Sequence, residues 1–400
     1  MVIKKLKAAF LILLMVGVTA SQPLFSSNRK VREAVDNSLV VAVKQYRLMA
    51  EKLKSQAGIV PKSFDKNGVL ITSDAKWWCS GFFPGTLWYL YEYSKSAALK
   101  SDAELYSERI KGEQFTTDNH DVGFIIYCSY GNAFRLDPKA DYRNIIVNAA
   151  RSLSTRFNPI VGQIRSWDWG KWQYPVIIDN MMNLELLFNA TKFSGDSLYY
   201  KIALAHAEGT LKNQFRPDAS CYHVVSYDKM TGAVESKGTF QGFSDASSWA
   251  RGQAWALYGF TVAYRETRDP RFLNQAIRIA NFLLNHPRMP KDLIPYWDFD
   301  APNIPNALRD ASAGAVMCSA LIELSGFATN KDSKRFLKAA ETQLLTLSSP
   351  DYLASVGENG NFILKHGVGF FLRNSEVDVP LTYADYYFVE ALMRYKKLSP

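Results

Sequence analysis

The chain has only four cysteines and five histidines among its 400 residues. Neither residue recurs at a metal-clasping interval, for there is no C-x-x-C and no H-x-x-x-H. Protein zinc sites draw on such clusters, so no metal and no cofactor is expected. Cys128 and Cys318 fall inside apolar helical runs, where a buried free thiol is the usual state, and no disulfide is required. Long hydrophobic stretches are equally scarce. Beyond the N-terminus nothing approaches the roughly 20 apolar residues of a membrane span. Basic runs are missing too. The net charge of +9 is dispersed along the chain, which argues against nucleic acid and leaves a weak preference for anionic ligands.

What is present begins with a predicted signal peptide over residues 1–20. Lys4, Lys5 and Lys7 form a charged start, residues 8–18 an apolar core, and Val18-Thr19-Ala20 a small-residue cleavage site. Removing its three lysines lowers the net charge to +6. The mature chain, residues 21–400, is expected to be exported, and periplasmic if the source is a Gram-negative bacterium. Nine tryptophans and an aromatic content of 14% suit an exported carbohydrate-binding protein, because sugar ring faces stack on aromatic ones.

A turn signal recurs before amphipathic runs, at Asp102, Asp137-Pro138, Asp196-Ser197, Asp269-Pro270 and Asp332-Ser333. Each Asp is placed to cap the helix that follows. The amphipathic runs, roughly 29–55, 100–112, 141–156, 197–213, 271–286 and 333–347, read as outer helices. Between them lie runs that are apolar on all sides, beginning near Gly81, Asp121, Asp179, Trp249, Asp310 and Tyr383, which read as inner helices. Six of each in alternation predict an all-α (α/α)6 barrel of six helical hairpins, formed by residues 21–400 as one catalytic domain. A β-hairpin is predicted within 221–240, around Asp228-Lys229-Met230-Thr231-Gly232.

Alternation makes the inner helices parallel, so their N-termini meet at one mouth of the barrel and favour an anionic ligand. The residues gathered there include Trp77, Trp78, His120, Asp121, Asp179, Trp249, Arg251, Asp310, Tyr383 and Asp385, with loop residues Trp167, Trp169, Trp172, His223 and Gln241 nearby. Asp121 and Asp179 have two readings, as helix caps or as an acid–base pair in which one carboxylate raises the pKa of the other. Arg251 is either a structural ion-pair partner or a ligand for a substrate carboxylate. Asp310 and Asp385 read as caps.

Several runs at these positions form a pattern: Trp78-x-x-Gly81-Phe82, Asn119-His120-Asp121-x-Gly123-Phe124, Ile178-Asp179-Asn180, Trp249-Ala250-Arg251-Gly252-Gln253-Ala254-Trp255, Val377-Asp378-Val379-Pro380 and Tyr383-Ala384-Asp385-Tyr386-Tyr387. In this order they resemble the unsaturated glucuronyl hydrolases of glycoside hydrolase family 88. The resemblance implies a substrate whose non-reducing end is a 4,5-unsaturated uronic acid left by a polysaccharide lyase, of glycosaminoglycan type. It implies Asp179 as general acid/base and Asp121 as the group that steadies the cationic intermediate. Trp78, His120, Trp167, His223, Gln241, Trp249, Arg251 and Trp255 match the sugar-contacting set. One stretch departs from the family. Residues 369–376 lack the Ser/Lys-rich pattern that some members carry for sulfated substrates, leaving Arg373 as the one cation there.

Three rival readings stand beside this one. An unsaturated rhamnogalacturonyl hydrolase would share the barrel and the hydration chemistry. A conventional inverting glycosidase would use the same barrel on saturated sugars. An exported glycan-binding protein would keep the aromatic mouth without turnover.

Overall fold

The computed structural model describes residues 28–398, so the predicted signal peptide lies outside the described residues. The helices run in chain order as α1 (Arg29–Leu53), α2 (Phe82–Ser94), α3 (Ala97–Ile110), a π-helical segment (Gly123–Gly131) continuing into α4 (Asn132–Leu136), and α5 (Ala140–Ser154). They continue as α6 (Asn180–Ser194), α7 (Ser197–Asn213), α8 (Ala250–Thr267), α9 (Pro270–Asn285), α10 (Ala311–Ser325), α11 (Asn330–Leu347) and α12 (Thr382–Lys397). Even-numbered helices are inner and odd-numbered ones outer. Each inner helix packs on the next, and α12 closes onto α2, completing an (α/α)6 barrel.

The two series differ for simple reasons. On α9, Phe272, Ala276, Ile279, Ala280 and Leu283 are buried, the stripe of a helix with one covered face. Asp269 accepts the Arg271 N–H and Pro270 occupies the first turn, a cap that contributes about 1 kcal/mol. The inner α8 and α10 are buried almost throughout, and their small residues let neighbouring helices approach closely. No helix among the described residues is long and apolar enough to cross a membrane.

The predicted turn signals divide. Asp196 and Asp269 cap α7 and α9 through their side chains. Asp102 and Asp332 instead lie inside α3 and α11, and Asp137 follows the end of α4. Asp102 is buried and ion-paired with Arg47, and the tertiary pair outweighs the local cap. The predicted hairpin forms between Val224–Tyr227 and Val234–Gly238, with Pro175–Ile177 added as a third antiparallel strand. Among the described residues three further small hairpins appear that periodicity did not announce. They are Val60–Phe64 with Leu70–Ser73, Phe157–Asn158 with Gln163–Ile164, and Gly367–Phe370 with Ser375–Val379. All four cysteines are unpaired.

Candidate active site

The mouth at the inner-helix N-termini holds a cavity of about 350 Å³. Its lining includes Asp121, Asp179, His120, Trp78, Trp167, Gln241 and Arg251, seven of the ten residues singled out from the sequence. His223, Trp249 and Trp255 do not line it. They are buried just behind the wall.

The capping reading fails for both aspartates. Asp179 occupies the N-cap position of α6, but its backbone is already helical and its side chain makes no capping bond. Asp121 precedes the π-helical segment, whose start likewise has no side-chain cap. Asp310 does cap, accepting the Ser312 N–H at 3.0 Å. Asp385 does not cap. It lies within α12 and accepts the Ile363 and Leu364 N–H groups and the Tyr46 hydroxyl, pinning a loop to the ring.

No Lys or Arg lies within ion-pairing distance of Asp121 or Asp179 among the described residues; their nearest ionisable partners are histidines. His120 Nε2 is 3.3 Å from Asp121 Oδ1, and His223 Nε2 is 3.5 Å from Asp179 Oδ2. Burial pushes both imidazoles down to about 3, so both are neutral near pH 7. The His223 tautomer follows from its bonds. Nδ1 accepts the Phe240 and Gln241 N–H groups at 3.1 and 3.2 Å, which leaves the proton on Nε2, facing Asp179. Without a cation beside them, the carboxyls titrate late. Burial raises Asp121 to about 8, with the charge of Asp179 adding to the shift. Burial raises Asp179 to about 7, against the opposing pull of the Arg251 charge. The pair therefore retains a proton near neutrality.

Aromatic rings form the walls. Trp167 and Trp169 stack at 4.8 Å with their planes 13° apart, and Trp169 is half exposed at the entrance. Trp78 packs on Tyr383 at 4.8 Å. Trp255 is fully buried against Phe124 and Tyr387, so it supports the floor and offers no face to a sugar. Trp249 lies under His223 at 4.5 Å, with the Arg251 guanidinium over it at 4.6 Å.

Arg251 has structural partners and also faces the cavity. Its terminal nitrogens pair with Asp310 at 3.2 Å and donate to the Val368 and Gly369 carbonyls at 2.5 and 2.7 Å. Through these bonds it anchors the 367–379 hairpin at the mouth, while its Nε has no protein partner and the side chain lines the cavity. That hairpin brings residues that sequence reasoning missed: Phe370, Ser375 and Glu376 all line the cavity. Glu376 pairs with Lys62 at 3.8 Å, and Lys62 in turn sits over Trp77. The exposed Arg373 lies 5.7 Å from both Phe240 and Phe370.

This geometry is that of a sugar pocket with two weakly ionised carboxyls, and known proteins agree with it. Residues 53–369 match the model of Glycosyl Hydrolase Family 88. An unsaturated glucuronyl hydrolase of Formosa agariphila is 48% identical over 327 residues, covering 81% of each chain. The crystal structure of an unsaturated glucuronyl hydrolase specific for heparin superposes with a TM-score of 0.89 at 47% identity, over 91% of this chain and 97% of that one. An Asp→Asn variant of the Streptococcus agalactiae unsaturated glucuronyl hydrolase, complexed with dGlcA-GalNAc6S, gives a TM-score of 0.76 at 28% identity, over 91% and 92% of the two chains. The chain belongs to glycoside hydrolase family 88, and its reaction is the hydrolytic release of an unsaturated glucuronyl unit from an oligosaccharide.

Proposed function

We propose that Asp179 is the general acid/base of this reaction, that Asp121 stabilises the charge it creates, and that the substrates are heparin-type disaccharides released by a lyase. The observation that carries the reading is that no Lys or Arg among the described residues pairs with either carboxyl, the buried Asp179 or the partly buried Asp121. A carboxylic acid that keeps its proton near pH 7 can deliver it to carbon. The Asp179 proton passes to C4 of the vinyl ether, and the π electrons of the C4–C5 double bond form the new C–H bond. C5 becomes an oxocarbenium centre shared with the ring oxygen, and the negative charge left on the Asp121–Asp179 pair once its proton is given up offsets the positive charge. Water then adds at C5 and returns a proton to Asp179. The hemiketal opens, and the hemiacetal exposed at C1 releases the remaining sugar. Attack at the anomeric carbon is not required, so the carboxylate spacing does not decide between retention and inversion.

Neutral His223, with its Nε2 proton toward Asp179, orients the acid. His120, with Nε2 at 3.3 Å from Asp121, packs beside the second carboxyl. Trp78, Trp167 and Trp169 supply faces for the flat unsaturated ring, and Gln241 a polar contact for its hydroxyls. The heparin-type leaving sugar is supported by likeness to the heparin-specific enzyme at 47% identity. The N-terminal residues support export, to the periplasm in a Gram-negative cell.

The test is a panel of unsaturated disaccharides from heparin, chondroitin and hyaluronan, with and without sulfate, followed by loss of enoate absorbance. Heparin-derived members should turn over fastest. Fastest turnover of chondroitin disaccharides would overturn the substrate class, and cleavage of saturated glycosides alone would overturn the chemistry.

A further inference from the structure

One fully buried side chain joins the two turns that carry the aspartates. Asn183 lies in the first turns of α6, and its Oδ1 accepts the Phe124 N–H at 2.8 Å. Phe124 is three residues beyond Asp121, at the start of the π-helical segment, where an N–H has no earlier turn to bond. The Asn183 amide nitrogen reaches back toward the Asp179 carbonyl at 3.5 Å. Asn183 thus touches both acid-bearing helix starts while lining neither the cavity nor the surface.

Gly123 makes the contact possible. A Cβ there would stand 2.6 Å from Asn183 Oδ1 and 2.7 Å from its Cα, too close for any side chain. The two turns are therefore pressed together backbone to backbone, with the amide as the clasp. A buried Asn among apolar neighbours is costly unless bonded, and the partners recorded for it belong to these two turns.

We propose that Asn183, seated on Gly123, is a positioning residue that sets the separation of Asp121 and Asp179 and so the electrostatic coupling that keeps a proton on the pair. The inference rests on the acid–base assignment made above. Loosening the clasp moves the carboxyls apart, weakens the repulsion that Asp179 exerts on Asp121 and lowers the pH at which the pair gives up its proton.

The experiment compares Asn183→Leu, which keeps the volume and removes the acceptor, with Asn183→Asp, which keeps an acceptor of the same shape. Gly123→Ala spreads the same turns from the other side. Thermal melting checks folding, and pH–rate profiles on an unsaturated disaccharide give the readout. In N183L and G123A, kcat should fall about 10- to 100-fold at little change in KM, with the alkaline limb moved at least half a pH unit lower. N183D should restore most of the loss at pH 6. Folded N183L and G123A with wild-type limbs would overturn the proposal. So would equal losses in N183L and N183D, because volume and fold alone would then explain them. Asp179→Asn, run in parallel, separates the two claims: if it stays active, the acid assignment fails, whereas an inactive D179N beside an unaffected N183L rejects only the clasp.

Discussion

Two groups of carboxyls in the barrel, Glu323 with Glu390 and Asp121 with Asp179, are held in opposite ways. Around the cavity at the far end, Arg265 pairs with Glu185, Glu266 and Glu323, while Arg394 pairs with Glu323 and Glu390. Tyr89 and Tyr258 donate to Glu390 at 3.0 Å, and Ser319 donates to its other oxygen. Two guanidinium groups hold Glu323 below its ordinary range despite its burial. At the near end, Asp121 and Asp179 have only neutral histidines beside them and stay far above theirs. One ring thus carries a compensated charge network and an uncompensated one. The far end spends its charges on holding helices together, and the near end keeps its proton for chemistry.

That contrast can be broken from either side. The largest effect is expected at the near end. Asp179→Asn should cut turnover of unsaturated disaccharide at least about 100-fold, the usual scale for a lost general acid, with binding by calorimetry retained. Removing charge at the far end should affect stability and leave chemistry alone. Arg394→Met removes a cation shared by Glu323 and the buried Glu390 and should cost about 3 kcal/mol in denaturant melts, with kcat of the folded fraction unchanged. A catalytic defect in folded R394M would show that the ends are coupled.

The third expectation concerns pH. A carboxyl whose folded pKa is raised binds its proton more tightly folded than unfolded. Its ionisation therefore erodes stability as pH climbs from about 4 through the folded value. For Asp179 that window runs up to about 7. D179N should melt like wild type near pH 4 and gain on it as pH rises, by about 1–2 kcal/mol at pH 8, because part of the full shift is relieved by water in the open cavity. A constant difference across pH would contradict a raised Asp179. The smallest effect belongs to the entrance. Trp169→Ala should raise KM by no more than about tenfold, the worth of one stacked face, with kcat held.

The barrel was largely legible because inner and outer helices bury different fractions of their surface, which periodicity reports directly. The paired aspartates were legible too, since parallel inner helices must bring their starts together. Harder to see was the difference between a cap and an acid. Asp310, Asp385 and Asp179 look alike in sequence, and only the hydrogen bonds around them tell their roles apart. Trp249 and Trp255 matched the sugar-contacting set through the family resemblance, but the close packing at the start of α8 buries both. The 367–379 hairpin was missed for a backbone reason. Asn374, Glu376 and Asp378 have positive φ, at 49°, 54° and 57°, and such irregular strands lack a clean alternation.

The central claim is that Asp179 holds its proton near neutral pH because it is buried and no Lys or Arg among the described residues pairs with it. The most direct measurement is a carbon-13 NMR titration of the aspartate carboxyls in the wild-type protein, with D179N assigning the resonance. A midpoint near pH 7 for Asp179 is the predicted result. A midpoint near 4, the ordinary aspartate value, would contradict it.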